Sequence, residues 1–450
     1  CHLYGKNRKC SAERTFVYKM QFFWARYFIE EHLKMSKRQI ESILSQLDAS
    51  PTPRHLVSYL TSKLLQANFV DYSTKELQNT NLGFIARAGS LIAWKKGKQT
   101  ARNGFRIVGA HTDSPGLRIK PNPDDRKFGF NTLQVEIYGS PLLNSWLDRD
   151  LGIAGHVVLK SGDLKLFRSA NPVARISQLA VHLDREVNER GLTLDKHLHL
   201  SPAWSSDQKA PSFSNWVAQQ TKCVVRDIVS IDAQLFDTHK AAVIGADSSF
   251  IASGRLDNQA SCWAAISALL ESQSGQATQV VALFDHEEVG SESATGAAGP
   301  LLEHSLEQIA AVQGISRIGF LEILSKSSCI SSDNAHAVHH NYPERHDLSH
   351  GPIINMGPAL KLNSNQRYAT SSTSAAMFIS ACSKAKVKHQ VFVSRNNMPC
   401  GSTIGPITAT RLGIDTVDVG VPQLSMHSSR EVCGVSDLTS LQLALKAYFN

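Results

Sequence analysis

The stretch VVALFDHEEVGS, residues 280–291, decides how the fold of this sequence is interpreted. Its apolar first half predicts a buried strand, and two adjacent glutamates, Glu287 and Glu288, follow that strand almost at once. Burying one carboxylate is costly unless a counter-charge neutralises it, so two in succession point to a bound cation. A solvated loop is the alternative. A cation at this place requires further ligands from other parts of the chain.

Four other segments place acids or histidines where a predicted strand ends or in the loop after it. In VGAHTDSPG the histidine and the aspartate stand two residues apart, so their side chains can point to the same side of a strand. The candidate ligands of these segments are His111 with Asp113 (108–116), Asp257 (253–261), Asp333 with His336 (331–344) and His427 (423–431).

Each of these signals also has a plain structural explanation. Asp113 would cap a turn, Asp257 would cap the helix predicted after it, and the histidines would be surface or core residues. Together the signals are more specific, because ligands of open α/β sheets bind at the carboxyl ends of the strands. Three carboxylates and two imidazoles suit one or two divalent ions, with zinc, manganese and cobalt all possible. Adjacent glutamates then divide the work: one binds metal and the other accepts a proton from water.

The predicted elements favour an α/β fold in which a central mixed sheet is flanked by helices. A mainly β insertion between about 119 and 244 interrupts this domain, which comprises residues 35–118 and 245–450. Two helices span 35–68, strands lie at 106–110, 133–138, 156–159, 280–284, 318–323, 390–393 and 416–421, helices follow Asp257 and Ser436, and 197–220 is a loop.

The 450 residues carry a formal charge of +8, but this excess does not predict a nucleic-acid binder. Residues 1–34 alone hold seven Lys/Arg against three Asp/Glu, which is half of the excess, and no basic stripe is visible elsewhere. We expect residues 1–34 to be a non-native or disordered extension and Met35 to be a natural start. No apolar run approaches the roughly 18 residues of a membrane span. The eight cysteines have wide, irregular spacing, which indicates reduced thiols and a cytoplasmic protein.

Seven motifs that occur in order resemble those of the aspartyl aminopeptidases, a family of metallopeptidases with two co-catalytic ions. The resemblance covers the chain from about residue 36 to its end, and it is specific because several motifs of five or more residues recur. The motifs are AHTDSPG (110–116), GRLDN (254–258), DHEEVGS (285–291), SSDNAHAVHHNYPE (331–344), KLNSNQRYAT (361–370), PCGSTIGP (399–406) and PQLSMHSSRE (422–431).

The resemblance implies a role for each matching residue of the predicted site. Asp257 would bridge two divalent ions, with zinc expected first and manganese or cobalt as alternatives. His111 and Asp333 would complete one metal position, and Glu288 and His427 would complete the other. Glu287 would be the general base, and Asp113 would orient His111.

The resemblance also implies a substrate pocket and an oligomer. Lys361 and Tyr368 would receive an acidic first side chain, and His336 would contact substrate near the metals. His182, in RISQLAVHLDR (175–185), would reach the active site of a neighbouring subunit. The insertion would then be a dimerisation domain, and dimers would assemble into a homododecamer. Without the resemblance, Lys361 would be interpreted as a solvated lysine of a strand.

The resulting prediction is an enzyme that removes N-terminal Asp or Glu from peptides with a free amine. One alternative is an enzyme of the same family that prefers neutral or hydrophobic first residues. Another is a two-metal deacylase of small molecules, which would not require the free amine. A metal-binding protein without catalysis is a further alternative, although such a protein would not need Glu287. Neither nucleic acid nor a membrane is expected as a partner.

Overall fold

The computed structural model describes residues 35–98 and 103–450, so the predicted extension 1–34 lies outside the described residues. The helices are α1 Lys37–Ala49, α2 Pro53–Gln66, α3 Val187–Arg190, α4 Phe213–Thr221, α5 Leu256–Glu271, α6 Leu301–Ala311, α7 Arg317–Leu324, α8 Ser372–Ala385, α9 Ile404–Leu412 and α10 Val435–Phe449. The strands are β1 Val70–Asp71, β2 Leu82–Arg87, β3 Ser90–Lys95, β4 Phe105–His111, β5 Gly116–Lys127, β6 Phe130–Tyr138, β7 Leu151–Leu159, β8 Leu164–Arg168, β9 Ala203–Ser205, β10 Ile228–Asp237, β11 Ala242–Ile244, β12 Phe250–Ser253, β13 Thr278–Phe284, β14 Ser328–Ser332, β15 Ala335–His336, β16 Ala359–Leu362, β17 Gln390–Val393, β18 Asp415–Gly420, β19 Pro422–Leu424 and β20 Glu431–Gly434.

The central sheet has nine strands in the order β1-β2-β3-β13-β4-β14-β18-β16-β17. Its middle strands β13, β4, β14 and β18 run parallel, whereas β3 and β16 pair antiparallel on either side of them. The parallel strands therefore end at the same edge of the sheet. The α/β fold with a central mixed sheet, predicted from the sequence, is confirmed.

Helices cover both faces of this sheet, as the apolar run of β13 requires. Val281 and Leu283 pack into a core with α1, α2, α5, α8 and α10. Val280, Ala282 and Phe284 point to the opposite face, into a second core with α6, α7 and α9. A strand that is buried on both faces reads as a continuous apolar run, which is why β13 shows no alternation.

Two smaller sheets complete the fold. An antiparallel six-stranded sheet, in the order β8-β7-β10-β5-β6-β9, is formed by strands between Gly116 and Asp237 and has its own apolar core. A five-stranded sheet, in the order β11-β12-β20-β19-β15, brings chain segments from 242 to 434 together. The six-stranded sheet begins at Gly116, three residues before the predicted insertion 119–244, and otherwise lies inside it. The status of that insertion as a dimerisation domain remains a prediction.

Two predicted elements are wrong. Residues 318–323 form most of helix α7 rather than a strand, because a short apolar run fits either structure and Ser316 caps the helix by accepting from the Gly319 amide. The predicted loop 197–220 contains β9 and α4; the latter begins at Phe213 after the N-cap Ser212. Within the described ranges, no helix combines the length and apolar character that crossing a bilayer requires.

Candidate active site

Five segments of the chain bring the predicted metal ligands together at the carboxyl edge of the central sheet. His111 ends β4, Asp333 follows β14, and the glutamate pair follows β13 in the 3₁₀ turn Glu287–Val289. The small sheet contributes the other two ligands. Asp257 lies four residues after β12 and His427 three residues after β19.

Asp257 lies between the two histidines. One of its oxygens, Oδ1, is 3.4 Å from His111 Nε2, and the other, Oδ2, is 3.6 Å from His427 Nε2. On the first side, Asp333 Oδ1 also approaches His111 Nε2 to 3.4 Å. On the second side, Glu288 Oε2 is 3.5 Å from His427 Nε2. Among the described residues, three groups of donor atoms lie close enough together to hold a cation. Two of them share Asp257, which is the arrangement a bridging carboxylate requires, and the third consists of His111, Glu287 and Glu288.

Both histidines present Nε2 to this cluster because Nδ1 is engaged elsewhere. His111 Nδ1 lies 3.1 Å from the Asp113 carbonyl oxygen, and His427 Nδ1 lies 3.0 Å from the Ser140 carbonyl oxygen. A carbonyl only accepts, so in each ring Nδ1 carries the hydrogen. Nε2 then offers a lone pair, as a metal-ligating histidine must. Backbone carbonyls therefore select the tautomer of both rings.

The electrostatics of the cluster fit one or more bound cations. Asp257 Oδ1 and Glu288 Oε1 are buried, and no hydrogen-bond donor reaches either of them among the described residues. Burial raises the pKa of Glu288 well above its ordinary value, and the Asp257 charge adds to this shift. Burial opposes ionisation of His111, yet Glu287 and the surrounding aspartates raise the pKa of its imidazole well above 6.5. Acceptors outnumber donors here, and a divalent ion would balance them.

Glu287 is the more open of the two adjacent glutamates. Its side chain is 14% exposed, against 5% for Glu288, and its Oε2 lies 3.9 Å from His111 Nε2. Burial raises the pKa of Glu287 to about 8; the nearby His111 opposes this shift, and the Asp333 charge adds to it. Cations bound beside it would lower this pKa again, and a carboxylate at the open side of a cation site is suited to accept and return a proton.

Asp113 ties this glutamate turn to the strand that carries His111. Its carboxylate accepts the backbone amides of Glu287 and Glu288, each at 3.1 Å, and the Tyr138 hydroxyl at 2.7 Å. Its oxygen Oδ1 is 3.4 Å from His111 Nδ1. The carboxylate is 1% exposed, so these bonds have little competition from water. Asp113 therefore positions the glutamates as well as His111.

Lys361, predicted to recognise an acidic side chain, is 2% exposed, so its interpretation as a solvated lysine is wrong. Its Nζ lies 3.4 Å from Asp333 Oδ2 and 5.3 Å from the centre of the Tyr368 ring. His336 lies nearby, with its ring 6.3 Å from that of Phe392. Its side chain is exposed, yet partial desolvation and the Lys361 charge lower the pKa of its imidazole.

His182 is not brought to this site within one chain. It is exposed on the 3₁₀ turn Val181–Leu183, and no contact among the described residues joins it to the ligand cluster. Leu179, Val181 and Leu183 around it are 57%, 47% and 74% exposed. Apolar side chains clustered in this way are typical of a surface that another chain covers.

The sequence analysis missed two residues that contact the cluster indirectly. Tyr138 ends β6 and donates its hydroxyl to Asp113. Glu431 begins β20 and accepts the backbone amides of Asp257 and His427 at 3.0 and 2.7 Å. Glu431 closes the quoted motif PQLSMHSSRE, so its position beside a candidate ligand was an available signal. Tyr138 had no comparable signal.

The fold and the donor set together define a metallohydrolase of the α/β class. A family model described as Aminopeptidase I zinc metalloprotease (M18) matches residues 46–449. The chain belongs to the M18 family of metallo-aminopeptidases. This family includes the aspartyl aminopeptidases, so the resemblance of the motifs is confirmed at the family level.

Relatives with known sequences and structures agree with this assignment. A probable M18 family aminopeptidase 2 from Streptomyces coelicolor is 42% identical over 424 residues, which is 92% of this chain and 98% of that protein. Ape4, solved in complex with Nbr1, superposes with a TM-score of 0.86 at 33% identity, covering 92% of this chain and 85% of its own. The S. cerevisiae mApe1 dodecamer superposes at 0.78 with 27% identity, covering 91% and 95%.

Proposed function

We propose that this aminopeptidase removes N-terminal aspartate and glutamate from peptides. The observation that carries the proposal is the buried cation of Lys361, whose Nζ lies 3.4 Å from Asp333 Oδ2. A lysine acts as a compact point charge for a carboxylate, and the Tyr368 ring covers it from one side. Asp333 is a proposed metal ligand, so a substrate whose acidic first side chain reaches Lys361 would have its scissile bond close to the metal.

Two divalent ions, with zinc expected first, would be held by the two donor groups that share Asp257. His111 and Asp333 would complete one position, and Glu288 and His427 the other. Ions bound there supply activation of water and polarisation of the scissile carbonyl. The protein contributes ligands whose tautomers are already fixed and a low-dielectric surrounding that strengthens these interactions.

Glu287 would accept the proton of the attacking water and return it to the leaving amine. Its carboxylate lies at the open side of the ligand cluster, with Oε2 3.9 Å from His111 Nε2, so it could reach a water bound at the metal position. Asp113 would hold Glu287 by its backbone amide, so that the carboxylate faces the reacting centre. His336, which is near enough to Lys361 for the lysine charge to lower its pKa, would contact the substrate. The free α-amine of the substrate would be received by the acidic groups around the metals.

The active enzyme would be a homo-oligomer, built from dimers into a dodecamer through an inserted domain at 119–244. The exposed apolar surroundings of His182 support this, because another subunit would cover them and receive the imidazole. We also propose that the enzyme acts in the cytoplasm. All six cysteines in the described part of the chain are free thiols, which suits a reducing compartment.

The test compares hydrolysis of peptides that begin with Asp, Glu or Leu and are otherwise identical. The wild type and Lys361→Met are each assayed after chelation and after addition of zinc, manganese or cobalt. We expect metal-dependent cleavage that favours Asp and Glu, with kcat/KM for these peptides about 10- to 100-fold lower in Lys361→Met. Lys384→Met, which removes an exposed charge, is the control and should behave as the wild type.

The outcomes separate this proposal from its alternatives. A wild-type preference for Leu would contradict the acidic pocket and favour the neutral-preferring type of the family. Cleavage of N-acylated substrates without a free amine would favour the two-metal deacylase. Metal content is measured in Lys361→Met, because the lysine also contacts Asp333. A loss of metal that accounts for the whole loss of activity would remove the evidence for a role in specificity.

A further inference from the structure

Glu431 lies behind the metal-ligand cluster, where two of the ligand loops meet. Its Oε2 accepts the backbone amide of Asp257 at 3.0 Å, and its Oε1 accepts that of His427 at 2.7 Å. The side chain is 1% exposed, so water does not compete for these bonds. These hydrogen bonds come from the backbone amides of Asp257 and His427. Glu431 therefore fixes the backbone positions of both ligands, although its own carboxylate does not face the cluster.

A third contact extends this arrangement to the loop of Asp333. Gln423 Nε2 approaches Glu431 Oε1 at 3.4 Å, and Gln423 Oε1 accepts the Asn334 amide at 2.8 Å. Asn334 is also hydrogen-bonded to the Leu256 carbonyl, next to Asp257. The contact with Asp333 is thus indirect and long, whereas the contacts with Asp257 and His427 are direct and short. The influence of Glu431 is therefore greatest on the side of His427.

We propose that Glu431 is a positioning residue that sets the metal affinity of the position formed by Glu288 and His427. The inference rests on the proposed two-metal site. Both oxygens of Glu431 accept hydrogen bonds from ligands of that position, one from the backbone amide of His427 and one from that of the shared Asp257. The other position, with His111 and Asp333, depends on Glu431 directly only through Asp257, and otherwise through the longer contact by way of Gln423 and Asn334.

Replacing Glu431 by glutamine makes this testable with almost no change in volume. A glutamine has one acceptor oxygen, so its NH₂ group must face either the Asp257 amide or the His427 amide. At that amide the hydrogen bond is lost, because the glutamine NH₂ group and the backbone N–H are both donors and repel each other. Substitutions of residues that orient metal ligands lower metal affinity by about 10- to 100-fold. We expect a loss of this size at one position and a smaller change at the other.

The experiment titrates the metal-free full-length protein with Zn²⁺ in competition with a chromophoric chelator. We expect the wild type to bind two equivalents. Glu431→Gln should bind one equivalent with nearly wild-type affinity and the other about 10- to 100-fold more weakly. The matched control is Asp437→Asn, since Asp437 is also a buried carboxylate that accepts two backbone amides, those of Asn355 and Gly357. It lies three residues beyond β20 and should bind both equivalents as the wild type does.

Two further measurements make the result decisive. Circular dichroism reports whether each variant is folded, and Glu431→Asp, which keeps the carboxylate, replaces Glu431→Gln if the latter fails to fold. In Glu431→Asp the same position should weaken, because the shorter side chain cannot reach both amides. Unchanged affinities in a folded variant, or equal losses at both positions, would overturn the proposal. A wild type that binds a single equivalent would instead overturn the two-metal function and this inference with it.

Discussion

Glu287 and Glu288 are adjacent in the chain, yet their surroundings suit two different chemical roles. Glu288 turns towards His427 and is nearly closed off from solvent, whereas Glu287 remains at the open side of the cluster. A carboxylate that binds a metal ion benefits from the closed position, because little water is present there to compete for the ion. A proton acceptor needs access to water and substrate. The 3₁₀ turn gives each carboxylate the surroundings that its proposed role requires.

Replacing Glu287 by glutamine should abolish proton transfer while leaving the metal ligands in place. We expect kcat to fall by about 10²- to 10⁴-fold, the usual contribution of a general base, with little change in bound metal. Steady-state kinetics and metal analysis of the purified variant check this. The control is Glu292→Gln, an exposed acid of the same loop, which should keep wild-type activity. A Glu287→Gln enzyme with full metal content and full activity would refute the assignment.

Individual ligands were predictable because their chemistry appears directly in the sequence. His111 directly follows a predicted strand, and topology places such a position at one edge of a sheet. The strands that precede Asp257 and Asp333, β12 and β14, were not predicted, so these two ligands were indicated by their motifs instead. Tyr138 was not predictable, because it ends an ordinary half-buried strand and its role depends on where the carboxylate of Asp113 lies. A hydrogen bond between residues 25 positions apart leaves no local pattern.

At the scale of elements, the junction between β20 and α10 is held by a buried acid. Asp437 is fully buried in the first turn of α10 and accepts the amides of Asn355 and Gly357 at 2.6 and 2.8 Å. Burial raises the pKa of this carboxyl to about 7, and the two amides only partly offset that shift. We therefore expect the stability of the junction between β20, α10 and the loop at 355–357 to depend on pH.

The sign of this dependence follows from the raised pKa. Between its ordinary value of 3.8 and about 7, the folded state holds a proton that the unfolded chain has released, so stability falls as pH rises through this range. Asp437→Asn cannot titrate. The difference in unfolding free energy, wild type minus variant, should fall by about 2 kcal/mol from pH 5 to pH 7 and level off within about one pH unit above that. Urea unfolding at matched metal content measures it, and a difference independent of pH would contradict the shift.

Elements were predictable where apolar periodicity and length agreed, and ambiguous where they did not. The strand β13 and the helix α5 are long and clearly patterned, so their type followed from the residues alone. Helix α7 spans eight residues of mostly apolar sequence, RIGFLEIL, which a buried strand would also tolerate. Packing against α6 at the outer face of the sheet, rather than local preference, decides its type.

At the scale of the whole molecule, the proposed oligomer predicts that subunits share active sites. If His182 serves the centre of a neighbour, a His182→Phe subunit keeps a complete metal site, and a Glu287→Gln subunit keeps a usable histidine. Each variant alone should be nearly inactive. Co-expressed in equal amounts and paired at random, they should recover about a quarter of wild-type activity, because half of the dimers are mixed and each mixed dimer has one complete centre.

The readout for this complementation is the activity of the purified mixed oligomer, with its composition checked by mass spectrometry. No recovery in a mixed oligomer of verified composition would show that His182 does not act across subunits. Full activity of His182→Phe alone would remove the residue from the site. This assignment came only from the motif resemblance, since a contact between subunits leaves no trace in the pattern of one chain.

The ligand set is spread along the chain, from His111 at the end of β4 to His427 near the carboxyl terminus, on both sides of the six-stranded sheet. This order has a consequence for biosynthesis. A ribosome adds residues from the amino end. A nascent chain can therefore fold the six-stranded sheet and several strands of the central sheet before it contains all the ligands. Peptide-bond cleavage therefore has to wait until the segment that carries His427 has emerged. We therefore expect the protease to be inactive throughout most of its own translation.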